Sequence, residues 1–210
     1  MLMVGTDPLE VERSLLAGEL TCPVCAGVLA PWGYARRRSS RREHDTVTHR
    51  PRRASCSGCR ATHVLLPATW LVRRADAVAV IGAALLANAA GAGHRAIAAV
   101  LGRPAGTVRG WLRRFGARAQ DVRVLFTRLL HALDPQAGPV CPRGSVFADA
   151  VEVLGVAAAA AARRLGPRPP WEFASRASAG SLLSPPPSSS TVPSPSPSPS
   201  SSPSPRSGRG

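Results

Sequence analysis

Four cysteines carry the clearest chemistry in this chain. They fall as two pairs, Cys22-Pro23-Val24-Cys25 and Cys56-Ser57-Gly58-Cys59, with 30 residues between Cys25 and Cys56. A Cys-x-x-Cys turn sets two sulfurs on the same side of a tight loop, and Zn²⁺ is satisfied by four thiolates in a tetrahedron. Two such turns, at the tips of two hairpins, are expected to close a Cys₄ zinc ribbon around one structural Zn²⁺. With cysteine at all four positions no coordination position stays open, which argues against a catalytic metal. Gly27 and Gly58 are expected to supply the permissive backbone of the turns. A redox Cys-x-x-Cys fits poorly, because the pair is doubled and no βαβ pattern surrounds it. A segment of about 45 residues has little core of its own, so the metal should supply much of its folding energy. His44, His49 and His63 are the residues that could replace a sulfur ligand. Cys141 stands alone in a Pro139–Arg143 linker and reads as an ordinary loop residue.

Charge is the second signal. All 27 basic side chains are arginine, and the net charge is +15. Between Cys22 and Arg128 there are 19 arginines against Glu43, Asp45, Asp76 and Asp121, which accounts for the whole of that excess; elsewhere eight arginines meet eight acids. A concentrated basic segment is the electrostatic footprint of a nucleic-acid binder, and arginine offers a planar fork to phosphates and guanine edges. A GC-rich coding sequence favours arginine too, and a solvated arginine surface is the plain alternative.

The elements that must position these groups follow from periodicity. Leu9, Val11, Leu15 and Leu16 suggest a short helix in an N-terminal segment, 1–18. The ribbon segment, 19–74, holds short apolar runs that suit strands, such as Val64-Leu65-Leu66. A basic, Ser-rich arm from Arg36 to Asp45 interrupts it and is expected to be a mobile hairpin loop. A helical period then governs 75–134. Helices are expected over about 76–90 (Val78, Ile81 and Leu85 on one face), 94–101 (Ile97, Val100 and Leu101 inward), 105–117 (Val108, Trp111, Leu112 and Phe115) and 121–133. A linker and C-terminal helix fill 135–183, with Ser145 as N-cap of a helix over 146–165. From Pro185 to Pro205 every residue is Ser or Pro except Thr191 and Val192, so 184–210 is expected to be a disordered tail of polyproline character. The fold class is therefore mainly α with a small β zinc ribbon, a helix-turn-helix domain and a disordered C-terminal tail.

The third helix can be read on a helical wheel. Val108, Trp111, Leu112 and Phe115 centre on one side. Gly106, Gly110, Arg113 and Ala117 lie opposite, flanked by Thr107, Arg109 and Arg114. The outward face is thus glycine plus arginine, with no acid to repel a phosphate backbone. Arg109 and Arg113 are one turn apart and could reach guanine O6 and N7. Thr107 could meet a phosphate or a thymine methyl, and Arg103 and Arg114 read as phosphate contacts. In the ribbon, Arg50, Arg52 and Arg53 are candidate backbone contacts. Trp32 and Tyr34 are expected in the ribbon core.

The stretch Gly93 to Phe115 resembles the helix-turn-helix of repressors and transposases. Ile97 and Leu101 match its core positions, Ala98 its small crossing position, Gly102 its turn, and Val108 and Trp111 the residues that seat the second helix. The order of parts also resembles an uncharacterised zinc-ribbon plus helix-turn-helix family of high-GC bacteria. Cys22-Pro-Val-Cys25, Trp32-Gly-Tyr34, Cys56-x-x-Cys59 and Thr62-His63-Val64-Leu65-Leu66-Pro67 carry that likeness. It is similar as well to the N-terminal DNA-targeting part of insertion-element transposases. The likeness covers about 19–118, and more loosely the helices to Leu183; the Ser/Pro tail departs from it. It implies sequence-specific binding of double-stranded DNA, as a transcriptional regulator or a mobile-element accessory protein.

Other classes were weighed on the same residues. An enzyme is not expected: after Arg118 the acids Asp121, Asp134, Asp149, Glu152 and Glu172 lie on helices or at helix ends with no strands between them, and about 65 residues before the tail are too few for a transposase catalytic domain with clustered carboxylates. A protein-interaction adaptor would use the ribbon and the 146–165 helix, which is also the surface expected to serve a homodimer or partner protein. An RNA-binding zinc ribbon is the third reading, against which the few aromatic residues argue. No secretory leader opens the chain, and the apolar run Ala77–Gly93 falls short of the roughly 20 residues of a membrane span. A cytoplasmic, nucleoid-associated protein with no membrane partner is the expectation.

Overall fold

The fold was taken from a computed structural model, which describes residues 1–184. The Ser/Pro stretch expected to be disordered lies outside the described residues, apart from Ser184. Those residues are mainly helical with two small sheets. No described helix is long and apolar enough to cross a membrane.

The chain opens with a strand, β1 (Leu2–Val4), and a helix, α1 (Pro8–Leu16). The Asp7 carboxylate accepts the Leu9 amide N–H at 2.8 Å, and Pro8 stands at the first helical position. Both favour a helix start, since the first amides lack intrahelical partners. Leu15 is buried, but Leu9 and Leu16 face solvent. Next come β2 (Leu29–Tyr34), β3 (Arg38–Arg41), β4 (Thr46–His49), β5 (Arg52–Cys56) and β6 (Thr62–Pro67). The larger sheet has the order β1-β6-β5-β2, with β1 parallel to β6 in the register Leu2–Leu65 to Val4–Pro67. The 1–18 segment is therefore part of the sheet lobe and not an appendage.

Arg36 to Asp45 falls in a hairpin as expected, with strand structure over Arg38–Arg41. Strands β3 and β4 form an antiparallel ladder from Arg38–His49 to Arg41–Thr46. Ser39 and Thr48 add a hydroxyl–hydroxyl hydrogen bond of 3.2 Å across it.

Helices α2 (Val78–Ala89), α3 (His94–Leu101), α4 (Ala105–Gly116), α5 (Ala119–Leu133), α6 (Val146–Leu165) and α7 (Pro170–Ala177) share one apolar core. Helix α2 runs through it with Val78, Ile81 and Leu85 all buried. A Cβ at Gly82 would sit 2.2 Å from the Trp171 ring, so the glycine is what lets α2 and α7 cross. Helix α3 buries Ile97 and Ala98, and Leu101 packs against the same core. Val100, expected inward, is 86% exposed. At 100° per residue it lies about 105° from the centre of the Ile97–Ala98–Leu101 stripe. Gly102 takes a left-handed conformation (φ 59°, ψ 38°) and reverses the chain into α4. Helix α4 buries Val108, Trp111 and Phe115.

Ser145 caps α6 by accepting the Ala148 amide N–H at 3.1 Å. Nine α6 residues are buried, and all but Leu154 are alanine or valine. They pack closely along α5. The 146–165 helix therefore belongs to the helical core, and the apolar face on which a dimer or partner expectation rested is covered by the chain itself. After it, α7 returns to the sheet lobe. The buried Ser175 hydroxyl donates to the Trp70 carbonyl at 2.6 Å, and the Val72 amide donates to the Gly180 carbonyl at 3.0 Å.

One carboxylate joins the lobes. Asp76, 3% exposed, precedes α2. Arg41 of the hairpin donates to it through Nε (3.1 Å) and Nη2 (2.7 Å), and Arg103 of the α3–α4 turn donates through Nε at 2.8 Å. Arg103 also donates to the carbonyls of Leu101, Gly102 and Arg42. Backbone bonds from Arg41 N–H to Ala75 O and from Ala77 N–H to Arg41 O flank the pair. Removing one member of a buried charge pair strands the other, which costs about 3–5 kcal/mol. Asp76→Ala should accordingly lower the unfolding free energy by about 3 kcal/mol in urea titrations of the metal-loaded protein. Arg163→Ala, which breaks the exposed pair with Asp134, should cost less than about 1 kcal/mol. Equal small losses would show that the buried carboxylate bears no more than a surface pair.

Candidate metal centre and basic helix face

The two cysteine pairs sit in turns built alike. In the first, the Cys22 amide donates to the Gly27 carbonyl (2.8 Å) and the Ala26 amide to the Cys22 carbonyl (2.9 Å). In the second, Cys56 donates to Ala61 (2.9 Å) and Arg60 to Cys56 (3.1 Å). The left-handed residue of each turn is the one after the second cysteine: Ala26 at φ 59° and Arg60 at φ 62°. Gly27 and Gly58 do not take that conformation, so their expected role as flexible hinges is replaced by another. A Cβ at Gly27 would lie 3.0 Å from Cys56 Sγ and 3.4 Å from Cys25 Sγ, and one at Gly58 would lie 3.5 Å from Cys25 Sγ. The glycines leave room for sulfur.

The four Sγ atoms all lie within 4.8 Å of one another. Cys22 and Cys59 are 3.7 Å apart, and Cys25 and Cys56 3.4 Å apart. A tetrahedron with metal–sulfur bonds of about 2.3 Å has edges of about 3.8 Å, so the cluster could hold one metal ion. Cys22 and Cys56 are buried while Cys25 and Cys59 face outward. No disulfide links any of them. The thiols are driven apart in acidity. The Cys59 amide N–H, aimed at Cys56 Sγ at 3.5 Å, lowers the Cys56 pKa to about 6. Cys59 accepts help from the Ala61 amide, yet the neighbouring sulfurs, with Cys25 foremost, and burial outweigh it and push its pKa up to about 12. A metal ion held by the four sulfurs would take them as thiolates.

His63 is the one histidine at the cluster. Its Nε2 lies 3.3 Å from Cys22 Sγ, and its buried Nδ1 has no hydrogen-bond partner among the described residues. Burial lowers its pKa. Placed against a ligand sulfur, it can orient Cys22 as an outer-sphere group. His44 is exposed in the hairpin turn, and His49 packs 6.0 Å from the Trp70 ring. Cys141 is exposed and outside the cluster.

On α4, Arg109, Arg113 and Arg114 are exposed, Gly106 is exposed, and Thr107 and Gly110 are half-buried. Arg109 and Arg113 make no hydrogen bond or ion pair among the described residues. Arg114 donates to the Gly110 carbonyl of its own helix at 3.1 Å. Nothing lies within 4 Å of a Cβ built at Gly106. Arg103 does not join this face, because its guanidinium is committed to Asp76 and three carbonyls. In the sheet lobe, Arg52 is likewise committed, to both Glu12 oxygens at 2.8 Å and to the Gly33 carbonyl at 3.1 Å. Arg53 donates to Thr62 Oγ1 at 3.2 Å, and Arg50 is exposed above the Tyr34 ring. Trp32 and Tyr34, expected in a core, are 60% and 52% exposed. No known protein-family profile, curated protein or solved structure matches this chain.

Metal-bound thiolates are shielded from thiol reagents. The metal-loaded protein should expose one fast-reacting thiol per chain, Cys141, rising to five after chelation. Lowering the pH should release the metal, since protons compete for the same sulfurs. Five fast thiols in the presence of metal would contradict the site.

Proposed function

We propose that the chain is a sequence-specific duplex-DNA-binding protein and not an enzyme. In this reading α3, the Gly102 turn and α4 act as a helix-turn-helix, and the two cysteine turns act as a zinc ribbon with one structural Zn²⁺. The observation that carries it is the two-sidedness of α4. Val108, Trp111 and Phe115 are buried on one side. Arg109 and Arg113 are exposed on the other, with no ion pair among the described residues. Packing within the described residues does not require Gly106 to be glycine, since none of them fills the space next to it. Its use is outward: it lets the helix backbone approach a groove wall. Arg109 and Arg113, one turn apart, suit guanine edges, with Arg114 and Thr107 beside them for phosphate.

Zinc is preferred among metals because an all-thiolate tetrahedral set matches its softness and geometry. Its role would be to hold the sheet lobe together, whose own core is small. The resemblance to regulators and to the targeting part of transposases agrees with a protein that finds a DNA site for itself or for another activity.

The test is selection from a random duplex library with the full, zinc-loaded chain. One enriched motif should emerge. Arg109→Ala and Arg113→Ala should each weaken binding to it by about 10-fold or more, with zinc content unchanged. A protein with about six phosphate contacts should also lose roughly 10³-fold in affinity between 50 and 200 mM salt. Absence of any motif, with the same affinity for all duplexes, would leave only generic attraction of a cationic protein.

A further inference from the structure

We propose that Trp32 and Tyr34, with the arginines beside them, form a stacking site for unpaired bases of single-stranded DNA. The choice of DNA rests on the reading of α4 given above; the site itself stands on separate observations.

Strand β2 is the edge strand of its sheet. Beyond Leu29, every residue from Ala30 to Tyr34 is exposed. Two large rings are thereby left in solvent, whereas Trp70 and Trp111 are 6% and 3% exposed. The exposure has a local cause. The β2–β5 register shifts between Pro31 and Tyr34, and Gly33 there has φ 86°. A bulge of this kind re-aims the side chains beside it.

Tyr34 is held in place. The Arg52 guanidinium carbon lies 4.6 Å from its ring centroid, and Arg52 is itself fixed by Glu12. Arg50 lies 5.2 Å from the same ring, exposed and without an ion pair among the described residues. Two pairings gather further charge at this end of the lobe. The Ala35 amide donates to the Pro51 carbonyl, and Arg38 pairs with His49. Arg36, Arg37 and Arg38 are all exposed, again with no acid paired to them among the described residues. The nearby acid Glu12 is taken by Arg52. Glu43 and Asp45 sit in the hairpin turn beside α2, at the other end of the hairpin.

Flat rings beside unpaired guanidinium groups match a chain of bases on a phosphate backbone. Stacking needs an open base face, which duplex DNA hides within its stack and a single strand presents. An acidic peptide would satisfy the arginines but leave the rings without a partner. The edge of β2 would then lie against a melted or flanking single strand while α4 holds a duplex site.

Trp32 is the one strongly exposed tryptophan of four. Its emission should be quenched saturably when the full metal-loaded chain is titrated with oligo(dT) of about 12 nucleotides. Binding is followed in parallel by the anisotropy of the labelled oligonucleotide. Trp32→Ala and Tyr34→Ala should each weaken that binding about 10-fold, and Tyr34→Phe should retain it. Metal content and affinity for a selected duplex should stay at the wild-type level in all three. Unchanged oligo(dT) affinity in the alanine variants would overturn the proposal. So would equal quenching by polyglutamate, or tighter binding of the same sequence as RNA. Loss of single-strand binding in Trp32→Ala, alongside intact duplex binding in Arg109→Ala, would retain the stacking site and remove the reading of α4.

Discussion

A carboxylate almost cut off from water, with guanidinium groups from two lobes upon it, is the constraint on which the rest of this structure depends. Without Arg41 and Arg103 the buried Asp76 carboxylate would lose its hydrogen-bond partners. Arg41 comes from the hairpin inserted between the cysteine pairs, and Arg103 from the turn that orients α4. The geometry of the sulfur lobe is thus transmitted to the basic helix by two ion pairs and the backbone bonds beside them. A second seam joins α7 and the residues after it to Trp70 and Val72. An arginine-rich segment is usually pictured as a row of equivalent charges. Here Arg41, Arg52 and Arg103 are structural, while the side chains of Arg36, Arg37, Arg38, Arg50, Arg109 and Arg113 make no hydrogen bond or ion pair among the described residues.

The sulfur lobe has a correspondingly small core. Val4, Leu15, Leu29, Ala54 and Leu65 are buried with Cys22 and Cys56, so the ligand sulfurs are themselves core atoms. A lobe with so small a core gains from a cross-link, and a metal ion held by the four sulfurs would join both turns at once. His63 beside Cys22 and the glycines beside the sulfurs belong to the same arrangement, in which each neighbour leaves space or supplies a polar contact.

The sequence made the periodic parts readable. Ser145 caps α6 and the helix spans 146–165 as expected, ending at Gly166, because capping and helix termination are local chemistry. The buried stripe of α4 follows from spacing alone, and the cysteine spacing foretells the sulfur cluster. Non-local pairings were hidden. A three-residue parallel strand such as β1 has no pattern of its own and exists only because β6 offers an edge. Helix α7 is short and opens in a Pro-rich stretch, and only its packing on Gly82 and Trp70 explains it. Asp76 looked like one acid among many arginines, since nothing local separates a clamp from a surface pair. Trp32 and Tyr34 were misjudged for a related reason: composition says that aromatic residues prefer burial, but an edge strand with nothing beyond it leaves them outside. Ala26 and Arg60 in left-handed turns show the converse, where a paired hydrogen-bond pattern overrides residue preference.

The central claim is that α4 lies in the major groove of a DNA duplex. Dimethyl sulfate methylates guanine N7, which faces that groove. Footprinting on a selected duplex should show a short run of guanines protected by the wild-type chain, with that protection lost at the bases facing Arg109 and Arg113 when those side chains are removed. Guanines methylated equally with and without saturating protein would place the duplex elsewhere on the molecule and contradict the account.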